Sequence, residues 1–370
     1  MDASGIAERV GRREISAVEV VEAALERLAA RDPELRAFTE VRPDQARERA
    51  RAVDRAVARG DVLRMAGVPI GVKAWRRSQE EHARRLEREG CVVIGLTSVP
   101  GPGTDWQTWG FTDRGPTRNP WRADRSPGGS SAGSAAAVGA GIVPLATGSD
   151  GAGSLRVPAA WCGVLGLKPT NRRLPARDAS GLAALGALVS SARDAALHLS
   201  VMLDEPVPAP GGGGALTAVW SSTLGFADPD PERAGIAYAA ARRLPVSWRP
   251  HDLRLLDPEP AWRALRGGAD HEVRAANDAR LDALFRDADV LLTPATPGGP
   301  HGHSGPGRTM TVGLTWVFNV SGHPAISIPA GLARDGLPVG LQAVARHGHE
   351  HVLLRLAAAL EPYPVQDRSA

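Results

Sequence analysis

Apolar residues recur at three- and four-residue spacing near the start of the chain, where Val10, Ile15, Val18, Val21, Ala24, Leu25 and Leu28 would share a helical face. The spacing predicts an amphipathic helix or two over 4–31 and further helix to about residue 59. The period then changes. "VPIGV" (68–72) is short and continuously apolar, a buried strand that ends on Lys73. "SQEEHARRLEREG" (78–90) reads as a helix closed by Gly90, and "CVVIGL" (91–96) as the next strand. Strand, helix and strand in that order predict a parallel or mixed sheet. Farther on, "ADVLLTPATP" (288–297), "HPAISIPAG" (323–331) and "GLPVGLQAVAR" (336–346) read as buried strands, and "EHVLLRLAAALE" (350–361) as a closing helix. No internal repeat is found.

One stretch breaks the polar pattern: no charged residue occurs between Arg125 and Asp150. "SPGGSS" is a turn, "AGSAAAVGAG" a helix of small residues, "IVPLAT" a buried strand and "GSDGAGS" a glycine loop. The remainder to Thr170 reads as short buried segments. Glycine, serine and proline make the stretch too polar for a membrane span, and two apolar strands exclude a flexible linker. "EPVPAPGGGGA" (205–215) is the linker-like segment, and the Arg/Pro-rich region to about 270 carries the weakest pattern.

Composition adds bounds. A chain of 370 residues can form one large domain or two ordinary ones. The net charge of +3 and the lack of a basic tract interleaved with aromatics argue against nucleic-acid binding. The first residues hold acidic side chains and no apolar core of a signal peptide, so a cytoplasmic protein without a membrane partner is expected. Cys91 and Cys162 lie in apolar runs and read as buried thiols. Of 44 basic residues only Lys73 and Lys168 are lysine.

Several motifs compete for the chemistry. Gly129 to Gly133 matches G-x-S-x-G, but no strand precedes it as that elbow requires. A phosphate loop fails for want of G-x-x-x-x-G-K-[ST]. "HGH" (301–303) and "HGHEH" (347–351) have metal-binding composition, yet their spacing on turns suits a solvated cluster, and no metal is expected. Lys73 stands out on physical grounds. A serine needs a base, and lysine serves as one only when burial pulls its pKa from about 10.4 toward 7, roughly 4–5 kcal/mol of bias. Arginine never loses its proton.

The spaced motifs "GVPIGVK", "GPTRNPW", "GGSSAGSAAAV" and "GSDGAGSLRVPAAWCGVLGLKPT", followed by "FRDADVLLTPATP" and "FNVSGHPAISIPAG", resemble the amidase signature family in its own order. The resemblance implies one domain, an α/β/α sandwich with a large mixed twisted β-sheet flanked by helices. Within it, 1–60 would be N-terminal helices, 62–203 the catalytic core, 204–287 a variable helical and linker region, and 288–370 the C-terminal strands and helix. It implies Ser154 as nucleophile, Ser130 as the bridging serine after a cis Gly129–Ser130 peptide, and Lys73 as general base. Backbone N–H groups of Gly151, Ala152, Gly153 and Ser154 would form an oxyanion hole, with Ser131 and Asp150 organising the loop. Trp75, Trp106 and Trp109 would line the substrate pocket, Lys168 would be a structural sheet-end cation, and His323 a packing residue. The implied activity is hydrolysis of a small carboxylic amide through an acyl-enzyme, with no cofactor and with a homodimer left open.

The sequence also departs from the family. Ala74 and Trp75 follow the base where Asp-Asn and a long loop are usual, the strand 91–96 runs into Thr97-Ser98, and Ala152 replaces a glycine. A positive φ at Ala152 would cost roughly 1–2 kcal/mol. The alternatives are therefore a catalytically retired homologue used for binding or scaffolding, an esterase or acyltransferase, and an ammonia-releasing amidotransferase subunit.

Overall fold

The apolar runs pair into one mixed sheet of eleven strands. The computed structural model describes residues 1–74, 76–208 and 214–363, the side chains of 76–78 excepted. The first strands are β1 (Phe38–Val41), β2 (Pro69–Lys73) and β3 (Val92–Thr97), and β4 (Phe111–Thr112) and β5 (Gly115–Pro116) form a separate ladder. The middle of the sheet is β6 (Leu145–Asp150), β7 (Leu165–Lys168) and β8 (Ala184–Val189). Then come β9 (Leu216–Trp220), β10 (Val246–Trp248), β11 (Val290–Pro294), β12 (Ala325–Leu332) and β13 (Pro338–Ala345). Their order is β1-β3-β2-β6-β8-β7-β12-β13-β11-β9-β10. β2 runs parallel to β3 and β6, and β9 parallel to β11 and β10, while the other neighbours are antiparallel. β2, β11 and β13 are buried along their whole length, which explains their apolar reading.

Helices cover the sheet. α1 (Ala3–Gly11), α2 (Ala17–Leu35) and α3 (Pro43–Ala58) answer the first periodic region. α2 starts in a capping box, in which Ser16 and Glu19 bond each other's backbone N–H, and it buries Val21, Ala24, Leu25 and Leu28. α4 (Arg76–Arg88) begins two residues before the predicted helix. α5 (Ala132–Gly139) is buried at all eight residues. A Cβ on Gly133 would collide with the Ala37 carbonyl and the Ser98 amide, so the small residues let a helix approach this closely.

Two expectations shift. "GSDGAGS" is not all loop, because β6 continues to Asp150, whose partner on β8 is Ala184. After it stands α6 (Arg156–Cys162), where only short segments were expected. Pro158 falls in the first turn of α6, where proline is tolerated, and it disguises the helix in the sequence.

Beyond α7 (Ala192–Leu203), the segment expected as a linker falls partly at 209–213, outside the described residues. The weakly patterned region nevertheless holds α8 (Pro231–Ala241), α9 (Glu259–Arg266) and α10 (Glu272–Asp287). α9 buries only Ala261 and so carries little apolar signal. α11 (Val317–Val320) and α12 (Glu350–Ala359) complete the fold. Among the described residues no helix is long and apolar enough to cross a membrane.

Candidate active site

Lys73 closes β2 beside β6, and its backbone N–H donates to Thr147 Oγ1 (3.0 Å). Its Nζ donates to three hydroxyls, Ser130 Oγ (2.9 Å), Ser131 Oγ (3.0 Å) and Ser149 Oγ (3.0 Å). A hydroxyl can accept from an ammonium or donate to an amine, so this tripod suits either protonation state. Lys73 is 1% exposed. Burial lowers its pKa to about 7, opposed by the charge of Asp150. The Gly129–Ser130 peptide is cis, as the resemblance implied.

Asp150 organises the loop that follows. Its carboxylate accepts from the backbone N–H of Gly153 (2.7 Å) and Leu155 (3.2 Å) and from Asn319 Nδ2 (2.9 Å). Arg156, also fully buried, donates to it through Nε and Nη2, both at 2.9 Å. The same guanidinium reaches Thr315 O, Gln342 Oε1 and Asn319 Oδ1. Burial by itself would raise the Asp150 pKa; the adjacent Arg156 outweighs it and holds the carboxyl well below the usual range.

This network corrects the expected oxyanion hole. Gly153 donates its N–H to Asp150 and is not available to a substrate. The N–H groups of Gly151, Ala152 and Ser154 have no acceptor among the described residues. Gly151 O accepts from Trp262 Nε1 (2.9 Å), and a trans peptide turns the next N–H, that of Ala152, the opposite way. Strain at Ala152 is also absent. The left-handed turn falls on Gly153 (φ +128°), where a Cβ would strike Thr315 Oγ1.

Ser130, Ser149, Gly151, Ala152 and Ser154 line one cavity of about 1360 Å³. Ser154 O accepts from Ser131 N (3.3 Å), whereas Ser154 Oγ has no protein partner among the described residues. Trp106 lines the cavity. Trp109 does not: its indole donates to Thr104 Oγ1 (3.0 Å) and its ring packs on Phe111, which corrects its expected pocket role. Trp75 lies outside the described residues.

Sequence reasoning missed Ser149, Arg156, Asn319, Trp262 and Trp316. A signal existed for Arg156, the first basic residue after the long uncharged stretch. None existed for the two tryptophans, which arrive from distant segments.

Lys168 ends β7, buried, with Nζ donating to Pro169 O (2.9 Å) and Asn171 Oδ1 (2.7 Å). Burial, then the nearby Arg156, lowers its pKa to about 7. His323 packs between Phe285 and His347, at ring distances of 5.0 and 4.0 Å. Cys91 and Cys162 are both buried, and Cys162 Sγ donates to Pro127 O (3.3 Å). Among the described residues no group of three His, Cys, Asp or Glu side chains is arranged to hold a metal.

Comparison with known proteins extends this picture to the whole chain. The Amidase family profile matches residues 19–79, 76–208 and 268–354. AmiB2 of Mycobacterium bovis, a protein carrying an amidase name, is 32% identical over 435 aligned positions, covering 94% of this chain and 92% of its own. The acylamidase of Rhodococcus erythropolis is 30% identical over 460 positions, covering 98% and 95%. Both alignments exceed the 370 residues of this chain, so the relatives contain segments that it lacks. A bacterial aryl acylamidase of the amidase signature family superposes with a TM-score of 0.83 at 28% identity, covering 98% of this chain and 96% of its own. With profile, sequence and fold in agreement along most of its length, the chain belongs to the amidase signature family of amide hydrolases.

Proposed function

We propose that Ser154 is the nucleophile of this amide hydrolase, Ser130 the bridging serine and Lys73 the general base. The observation that carries the reading is the buried Lys73 Nζ, held 2.9 Å from Ser130 Oγ in a cavity wall that also presents Ser154. Neutral Lys73 takes the proton of Ser130, which takes that of Ser154. Ser154 Oγ bonds to the amide carbon, and the N–H groups of Gly151, Ala152 and Ser154 hold the oxyanion. Losing one such donor typically costs about 10²–10³ in rate. The proton returns through Ser130 to the leaving nitrogen as the C–N bond breaks. Water then attacks the acyl-enzyme, giving the carboxylic acid and restoring the Ser154 hydroxyl. Ser131 and Ser149 position Nζ, and Asp150 with Arg156 shapes the loop. The chemistry needs no cofactor.

The reading keeps the chain as one cytoplasmic domain, and the two buried thiols suit a reducing compartment. A second reading, a retired homologue that binds amides without cleaving them, draws on the missing partner of Ser154 Oγ. Catalytic hydrogen bonds often tighten only around substrate, so that gap does not decide against activity. Intact-protein mass after fluorophosphonate treatment decides. Labelling of the native protein, lost in Ser154→Ala and strongly slowed in Lys73→Ala, is expected. A folded native protein that takes no label would leave the binding reading in its place.

A further inference from the structure

The cavity floor is uncharged, but the wall built by α9 is not. Trp262 on α9 is tied to Gly151 O, and Arg266, one turn later, lies over its ring with the guanidinium carbon 4.8 Å from the centroid. A cation is thus held one indole away from the loop that faces the reacting carbonyl. Its neighbour Arg263 is engaged by Glu259 at 2.7 Å, whereas Arg266 has no carboxylate among the described residues. Arg177 and Arg308 also line the cavity without a carboxylate there.

Among the described residues the lining acids Asp178, Glu80 and Asp105 form no ion pair with these three arginines. Asp178 accepts from Ser180 Oγ and from the Ser180 and Ala183 amides. Glu80 stands 3.9 Å from Arg84. Asp105 has no cation, but it belongs to the Trp106 segment, far in sequence from α9. A second observation concerns the same wall. Trp316, its ring 6.4 Å from that of Trp262, is 5% exposed, and its buried indole N–H has no acceptor among the described residues. A buried donor without an acceptor is costly, and it calls for an oxygen that the protein does not supply.

We propose that the amides taken by this cavity carry a carboxylate, gripped by the Arg266 guanidinium where it lies on Trp262. Stacking on the indole pre-orients the guanidinium fork, whose two parallel N–H groups match the two oxygens of a carboxylate. The Trp262 and Trp316 rings give the apolar part of such an amide its wall. Arg177 and Arg308 add two further guanidinium groups to the same lining. The proposal rests on the amide-hydrolase reading of the cavity, and it makes Arg266 a specificity residue.

The test is binding to the Ser154→Ala protein, measured by calorimetry, so that turnover is not required. The probes are butyryl anilide and its succinyl counterpart, which ends in a carboxylate; a third amide carries the carboxylate on the aniline ring. One of the two acids is expected to bind roughly tenfold tighter than the neutral amide, the scale of one charge-assisted hydrogen bond. That advantage should shrink to about threefold or less in Arg266→Gln and with rising salt, but persist in Arg254→Gln, which lies outside the cavity. Equal binding of all three probes, or an advantage unchanged in a folded Arg266→Gln protein, overturns the proposal. Fluorophosphonate labelling of the native protein is scored in parallel. A carboxylate preference without labelling would sink the hydrolase reading while keeping the anion site, and labelling without preference would do the reverse.

Discussion

Lys73 and Lys168 are the two lysines of the chain; each ends a buried strand, and burial brings each to a pKa of about 7. Their surroundings differ. Lys168 Nζ donates to a backbone carbonyl and an amide oxygen, groups that can only accept. Lys73 Nζ meets three hydroxyls, two of them, Ser130 and Ser149, on residues lining the cavity that also presents Ser154. A depressed pKa therefore does not make a base. A neutral amine needs a neighbour with a proton to give and a route from that neighbour to substrate.

The comparison breaks most decisively by exchange. Lys73→Arg is expected to lower kcat/KM on an activated anilide by about 10²–10⁴, the usual share of general-base catalysis. Lys168→Met should keep fluorophosphonate labelling of the folded protein within about tenfold, and should lose about 1–3 kcal/mol of unfolding free energy in urea, because it strands buried acceptors. Equal loss of labelling in both variants would mean that burial alone sets the function. Asp150→Asn, which leaves buried Arg156 without its counter-charge, is expected to cost about 3–5 kcal/mol in the same urea experiment.

Finer effects concern the tripod. A base must be neutral, so the labelling rate should rise about tenfold per pH unit below the lysine pKa and level off above it; the midpoint is expected near 7. Ser149→Ala removes an acceptor that favours the ammonium form, so the midpoint should move down, by about one unit at most. An upward shift would show that Ser149 donates to the amine instead.

Much of this was legible in the sequence because it rests on local rules. The amphipathic face of α2, the apolar runs of β2, β11 and β13, and a lysine at the end of a buried strand all follow from spacing and residue type. Errors gathered where a backbone turn or a distant partner decides which way a group faces. Trp109 shares the cavity's chain neighbourhood, yet Thr104 and Phe111 turn it aside. Gly153 sits in a loop of free amides, yet Asp150 claims its N–H. Trp262 comes from a region with little apolar pattern and still braces the loop at Gly151.

By itself the sequence determined the N-terminal helices and the most apolar strands, the two exceptional lysines and the serines on their glycine hinges, since periodicity and side-chain chemistry are properties of neighbours along the chain. Only the tertiary structure decided which lysine meets hydroxyls, which amides remain unbonded and which tryptophans and arginines wall the cavity. Those outcomes depend largely on contacts between segments far apart in the chain, such as Lys73 on Ser130, Trp262 on Gly151 and Asn319 on Asp150, which local pattern does not encode.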